Sequence, residues 1–287
     1  MNLQKSDHSI FNIAVLVAAL GYFVDIYDLL LFAIIRIESL ASFGLSPEQV
    51  KIEGEAILQW QMAGLMIGGI IAGVIADKKG RLAVLFGSIL FYSLANIANG
   101  MVTTVEQYKV IRFLAGLGLA GELGVGITLV SELIKKEKRG ISTSLVAGIG
   151  LTGAVLAYFL KETYHWRTCY YIGGALGLLL LVLRISVFES GMFKEVKKMD
   201  VQRGNFFMLF TNADRFKRYL TSILIGLPTW FVIGVLVAFS NEFGKLMGIK
   251  EEIDPGKAIM FAYVAISIGD ILIGFISQWM KSRKNAL

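Results

Sequence analysis

Apolar residues along this chain gather into eight runs separated by clusters of charge. They occupy about 11–37, 56–76, 82–103, 108–132, 140–160, 167–188, 218–241 and 258–280. Each run is close to the ~20 residues a helix needs to cross the hydrocarbon core of a bilayer. No ten-residue stretch alternates apolar with polar positions, which sets a membrane-spanning β-barrel aside. The first run follows MNLQKSDHS and is longer than the apolar part of a signal peptide, so it reads as the first membrane helix. The expected fold class is all-α, a polytopic membrane protein.

Composition points the same way. Of 287 residues, 55% are hydrophobic and 17% charged, with mean hydropathy +0.66. Eight spans of ~20 residues would consume ~160 residues, close to the whole apolar inventory. A soluble enzyme built on one buried core is excluded. The single cysteine, Cys169, makes neither an internal disulfide nor a zinc cage and reads as a small apolar residue. His8 and His165 fall in loop-like positions. No H-E-x-x-H or G-x-S-x-G motif occurs, and nothing calls for a metal or cofactor.

Charge sets the expected orientation. With eight spans both ends lie on one side. That side collects eighteen of the 28 lysines and arginines, and the other side seven. By the positive-inside rule both termini are expected in the cytoplasm, with the chain in the cell (inner) membrane. The basic residues are dispersed over short loops, which speaks against nucleic-acid binding. The expected partners are a small-molecule substrate, protons and the lipid bilayer. Oligomeric state is open.

The organisation suggested by loop lengths is a six-helix unit over 1–188, a charged linker over 189–217, and two further helices over 218–287. An internal echo supports this. The end of span two reads Gly73-x-x-x-Asp77-x-x-Gly80-Arg81, and 201 residues later span eight ends Gly274-x-x-x-Gln278-x-x-Lys281. Spans seven and eight thus read as the start of a second copy of spans one and two.

Several ionisable groups fall inside spans, where each costs ~2.5–3.5 kcal/mol. Asp25 and Asp28 sit in span one, three residues apart and on one helical face, with Tyr22 one turn before Asp25. A carboxylate in oil is costly unless a cation faces it, which suits such a group to taking up and releasing a proton. Span four holds Arg112 and, ~15 Å deeper, Glu122. Counted from span ends, Arg112 and Asp28 lie at similar depth and can pair if their helices are neighbours. Arg112 either balances buried acids or grips an anionic substrate with its planar fork. Asp25, Asp28 and Glu122 are the proton-coupling candidates. Tyr22, Gln61, Arg112, Trp230 and Asp270 are the candidates for contact with substrate. Pro228 is expected to kink span seven just before Trp230.

These residues resemble the major facilitator superfamily. Gly73-Val-Ile-Ala-Asp77-Lys-Lys-Gly80-Arg81-Leu82 is similar to its G-x-x-x-D-x-x-G-R-[RK] signature between the second and third helices, departing only at the last position. Asp25-x-Tyr27-Asp28 resembles an element of the metabolite:proton and phosphate:proton symporters. Gly121-Glu122 resembles the Gly-Gly-Glu of the metabolite group, with Ala120 replacing the first glycine. The resemblance implies a six-helix bundle plus two helices of a second bundle. It also implies a secondary transporter of a small polar metabolite or organic anion, a symporter driven by protons through alternating access. Gly73, Asp77, Gly80 and Arg81 would form the gating motif. Members usually have twelve helices, so the chain is expected to be truncated after the eighth. The alternative function is a non-transporting remnant, or a membrane subunit that binds a solute or partner.

Overall fold

In the computed structural model, residues 13–133, 139–184 and 204–280 are described. Ten α-helices are found among them: α1 (Ile13–Ala41), α2 (Pro47–Lys79), α3 (Arg81–Gly100), α4 (Val105–Leu133), α5 (Arg139–Leu151), α6 (Gly153–Thr163), α7 (Trp166–Leu183), α8 (Ala213–Phe231), α9 (Ser240–Leu246) and α10 (Pro255–Trp279). No strand occurs among the described residues. Seven helical stretches are long and apolar enough to cross a bilayer, and α4, at 29 residues, has the length to do so too. The chain is a multi-pass, all-α membrane protein.

Helix boundaries follow local chemistry. Ser46 caps α2 in a reciprocal capping box with Gln49, with Pro47 in the first helical position. Asp254 caps α10 by accepting from the Gly256 N–H, again with proline, Pro255, in the first helical position. The break between α2 and α3 falls on Gly80 at φ 108°, a backbone conformation that side chains with a Cβ avoid.

α1 is apolar almost all round and is the most deeply buried span, as expected of a helix surrounded by others. It packs against α2, α4, α5, α6 and α7. α2 lies on α4 at very close range. A Cβ on Gly64 or Gly68 would collide with the backbone of Phe113 or Leu117. α10 runs along α5 and α6, with Ser267 Oγ donating to the Gly148 carbonyl at 2.5 Å. Near the Ala41 end of α1, Arg36 is buried over the Phe239 ring at 4.1 Å. There Lys161 also pairs with Asp254 at 3.1 Å.

Two predicted spans are less regular than expected. The fifth is broken at Thr152 into α5 and α6. The seventh passes from α8 into a π-helical segment, Val232–Val237, then α9. Pro228 lies within α8, and the irregularity comes one turn after it. The described part of the predicted linker holds a short 3-10 turn, Phe206–Leu209, and α8 already starts at Ala213. Residues 189–203 of that linker lie outside the described residues.

Candidate functional site

A cavity of about 410 Å³ opens between α1, α2, α4 and the Trp230 region of α8. Tyr22, Asp25, Ile26 and Leu29 of α1 line one wall. Met62, Leu65, Met66 and Gly69 of α2, with Leu119, Ala120 and Gly124 of α4, line the others, and Trp230 closes one side. The wall is mostly apolar, and its charged member is Asp25. That side chain is 4% exposed, and neither carboxylate oxygen has a hydrogen-bond partner. Tyr22 packs against Gly150 of α5, which holds its ring at the cavity edge.

One turn further along α1, Asp28 faces away from the cavity into a fully buried polar cluster. Arg112 Nη1 approaches Asp28 Oδ1 at 3.2 Å, and Arg112 Nη2 donates to the Asp28 carbonyl at 3.1 Å. Arg112 Nε donates to Gln61 Oε1 at 3.3 Å, while Gln61 Nε2 donates to the Leu29 carbonyl at 3.0 Å. Gln61 thereby ties α2 to α1 and orients the guanidinium. The Arg112 guanidinium also stands 5.7 Å from the Tyr170 ring centre. Asp28, Arg112 and Gln61 form one unit, and none of the three lines the cavity.

Glu122 is not free either. Arg184, the residue that ends α7, grips it with both terminal nitrogens: Nη1 reaches Glu122 Oε2 at 2.7 Å and Nη2 contacts Oε1. Both side chains are 2% exposed. The pair sits directly on Gly21, where a Cβ would strike both partners. Gly21 is one turn before Asp25 on α1, so the pair and the unpartnered acid stack along the same face. Arg184 carries no role in the sequence reading. Its position inside the sixth run, short of the charged linker, was the available signal. Tyr92 and Asn96 of α3, which face Asp25 and Asp28, carry no prior signal beyond being polar in a span.

The remaining candidates lie apart. Asp270 is partly buried on α10 and does not itself line the cavity, but it interacts electrostatically with Tyr22, which does. Gly73 and Asp77 border a second groove, about 500 Å³, with Gly204, Phe206 and Tyr219. Asp77 pairs with Arg81 at 3.5 Å, and Arg81 Nη1 donates to the Ala76 carbonyl at 3.1 Å. The acid and the arginine of the motif thus close over the Gly80 turn. Among the described residues, no cluster of side chains is suited to a metal.

Comparison with known proteins places this geometry. The family model of the Major Facilitator Superfamily matches residues 12–287. The putative niacin/nicotinamide transporter NiaP of Bacillus subtilis is 29% identical over 184 residues, 63% of this chain and 45% of that protein. The cis,cis-muconate transport protein of Acinetobacter baylyi is 26% identical over 283 residues, covering 95% of this chain and 67% of that protein. The chain spans about half the length of the curated relatives it matches first. Among solved structures, the proton:xylose symporter XylE bound to 6-bromo-6-deoxy-D-glucose superposes with TM-score 0.67 at 16% identity, over 94% of this chain and 68% of that one. At that identity the likeness is one of fold.

Proposed function

The chain belongs to the major facilitator superfamily, and from that premise we propose that it works in proton-coupled symport of a small organic acid by alternating access. Family membership makes it a transport protein and not an enzyme. The observation that carries the reading is Asp25: a carboxyl group inside the bundle, with no hydrogen-bond partner, on the wall of an apolar cavity. Kept charged there, it would be costly; protonated, it costs far less and can donate to a bound anion. Proton and carboxylate entering together present the cavity with a net-neutral load.

The role of each candidate follows from its contacts. Asp25 binds the coupled proton. Tyr22 and Trp230 present a phenol and an indole edge to the substrate, which suits a flat, unsaturated body. Niacin and cis,cis-muconate, named for the relatives, are carboxylic acids of that kind. Asp28, Arg112 and Gln61 hold α1, α2 and α4 in register as an internally neutralised unit. Glu122 and Arg184 do the same for α1, α4 and α7. Gly73, Asp77, Gly80 and Arg81 gate the end where α2 meets α3, which we assign to the cytoplasm with both termini, on the distribution of lysine and arginine. The six-helix unit 1–188, the linker 189–217 and the unit 218–287 act as the moving blocks. Asp270 acts on the substrate path through Tyr22, with which it interacts electrostatically.

The test is reconstitution of the full chain in proteoliposomes with a trapped pH dye. Adding nicotinate or benzoate is expected to acidify the lumen, and Asp25→Asn to abolish the response. Absence of any substrate-dependent proton movement, with no quenching of Trp230 fluorescence, overturns the reading. A second reading is a solute-binding membrane subunit that does not transport. It draws on α8, none of whose residues is buried, so one block has few contacts to rock against. Quenching of Trp230 without proton movement selects it.

A further inference from the structure

We propose that the interior between α1 and α3 holds a file of bound water, passing Asp28, through which Asp25 exchanges protons with the outer face, separately from the substrate cavity. α3 carries Tyr92, Asn96 and Asn99 at spacings of four and three, which puts them on one face. All three are fully buried. The Tyr92 hydroxyl and both polar atoms of each asparagine side chain have no protein partner. On α1, both oxygens of Asp25 and Oδ2 of Asp28 are in the same condition. Tyr92 lies within weak hydrogen-bonding reach of Asp25, and Asn96 within that of Asp28, but neither contact has the geometry of a full hydrogen bond.

The weak Tyr92–Asp25 and Asn96–Asp28 contacts leave part of this polar set unsatisfied, both atoms of Asn99 above all, and each unsatisfied buried group costs about 1–3 kcal/mol. Water solves this where a site is polar and each molecule finds two to four partners. α4 and α7 each lie against both α1 and α3, so the four helices enclose the seam and side chains alone cross it. The charged groups around it are accounted for: Arg112 of α4 is bonded to Asp28, and Glu122 of α4 is bonded to Arg184 of α7. Tyr170 of α7 is bonded to Tyr108 at 2.6 Å, and Tyr22 faces the cavity.

The file has two ends. From Tyr92 to Asn99 it runs ~10 Å along α3. Asn99 adjoins Gly100, whose carbonyl accepts from Arg167 at 2.9 Å and from the half-exposed Tyr171 at 3.0 Å. This is the rim assigned to the outside. At the other end Asp25 borders the cavity. In the transfer step, a hydronium ion at the Asn99 end gives up a proton along the waters. An O–H bond forms on the Asp25 carboxylate as one breaks in the hydronium, which becomes water. Release into the cavity runs the same step backwards. The asparagines hold the waters and do not titrate.

The water file stands on the buried atoms alone; its role as a proton route rests on the symport reading. X-ray radiolytic hydroxyl labelling of the full chain in nanodiscs, read by mass spectrometry, tests the first part. Tyr92 and Tyr108 are equally buried, but Tyr108 sits among Phe32, Phe43 and Trp166 with its hydroxyl bonded. Radiolysis of bound water is expected to label Tyr92 roughly tenfold faster than Tyr108. Equal labelling of the two in the wild-type chain overturns the proposal, whether or not any variant folds. For the second part, the infrared carboxyl band lost in Asp25→Asn is followed after mixing with D2O. Its exchange is expected to slow at least severalfold in Asn96→Leu/Asn99→Leu; an unchanged rate in a folded variant removes the proton route. Labelled Tyr92 together with failure of substrate-driven proton movement sinks the symport reading and leaves the water file standing.

Discussion

Arg112 places Nη1 3.2 Å from Asp28 Oδ1, and neither side chain has any exposure. A buried pair of this kind contributes little net stability when whole, but removing one partner strands the other charge, at about 3–5 kcal/mol. Arg112→Met alone is therefore expected to lower stability by about that amount. Asp28→Asn combined with Arg112→Met is expected to recover more than half of the loss. The single cysteine supplies the measurement: Cys169 is buried, so a thiol-reactive dye reports unfolding directly. Equal melting temperatures for the single and double variants would show that the pair is not energetically coupled.

Adjacent glycines of α2 are predicted to behave in opposite ways. A Cβ on Gly68 would run into the backbone of Leu117, while one on Gly69 meets nothing within 4 Å. Gly68→Ala must push α2 off α4, and overpacking of this type costs about 1–3 kcal/mol. Gly69→Ala only adds a methyl to the cavity wall and restricts the unfolded backbone, so it is expected to melt no lower than the parent. A comparable loss in both would contradict the α2–α4 packing.

The sequence made much of this legible, and the limits have physical causes. Apolar runs bounded by charge place the spans because bilayer thickness imposes a length that soluble helices lack. Depth counting sets Arg112 level with Asp28, because rise per residue is fixed along a helix. It says nothing about azimuth across helices, and so it leaves Glu122 without a partner. Arg184 is 62 positions away and reaches Glu122 only because Gly21 lets the pair lie against α1. The break at Thr152 is hidden for a similar reason: Gly153 sits against the backbone of Phe23 and Tyr27, a tertiary contact with no local signature. Pro228 announces irregularity in span seven, but the π segment appears one turn later, where the hydrogen-bond ladder resettles.

The grip of Arg184 on Glu122 predicts an asymmetry between conservative replacements. Lysine offers one point charge in place of a planar fork. Arg184→Lys is expected to destabilise by about 1–3 kcal/mol, because one carboxylate oxygen loses its charged donor. Glu122→Gln keeps the shape and one acceptor but leaves the buried guanidinium uncompensated, so it is expected to cost more, towards 3–5 kcal/mol. Dye-monitored melting of both variants decides the order. A loss larger for Arg184→Lys than for Glu122→Gln would show that shape, and not charge, governs the contact.

Asp25 and Asp28 are one turn apart on α1, yet their amide variants should differ in kind. Asp28→Asn leaves a buried arginine uncompensated and is expected to cost towards ~3–5 kcal/mol. Asp25→Asn removes a buried carboxylate that makes no full hydrogen bond, and the desolvation it relieves outweighs the lost attraction to Arg184, so the fold is expected to melt at the parent temperature or above it. Function separates them the other way. The amide at position 25 cannot carry a proton, so proton movement driven by substrate should vanish. Exchange of labelled nicotinate across the bilayer at equal concentrations should persist, because exchange needs the cavity and not the proton. A stable Asp25→Asn protein that still acidifies the vesicle lumen would move the coupling site off α1's cavity face. Asp28 would then be the acid to examine next, through its pairing with Arg112.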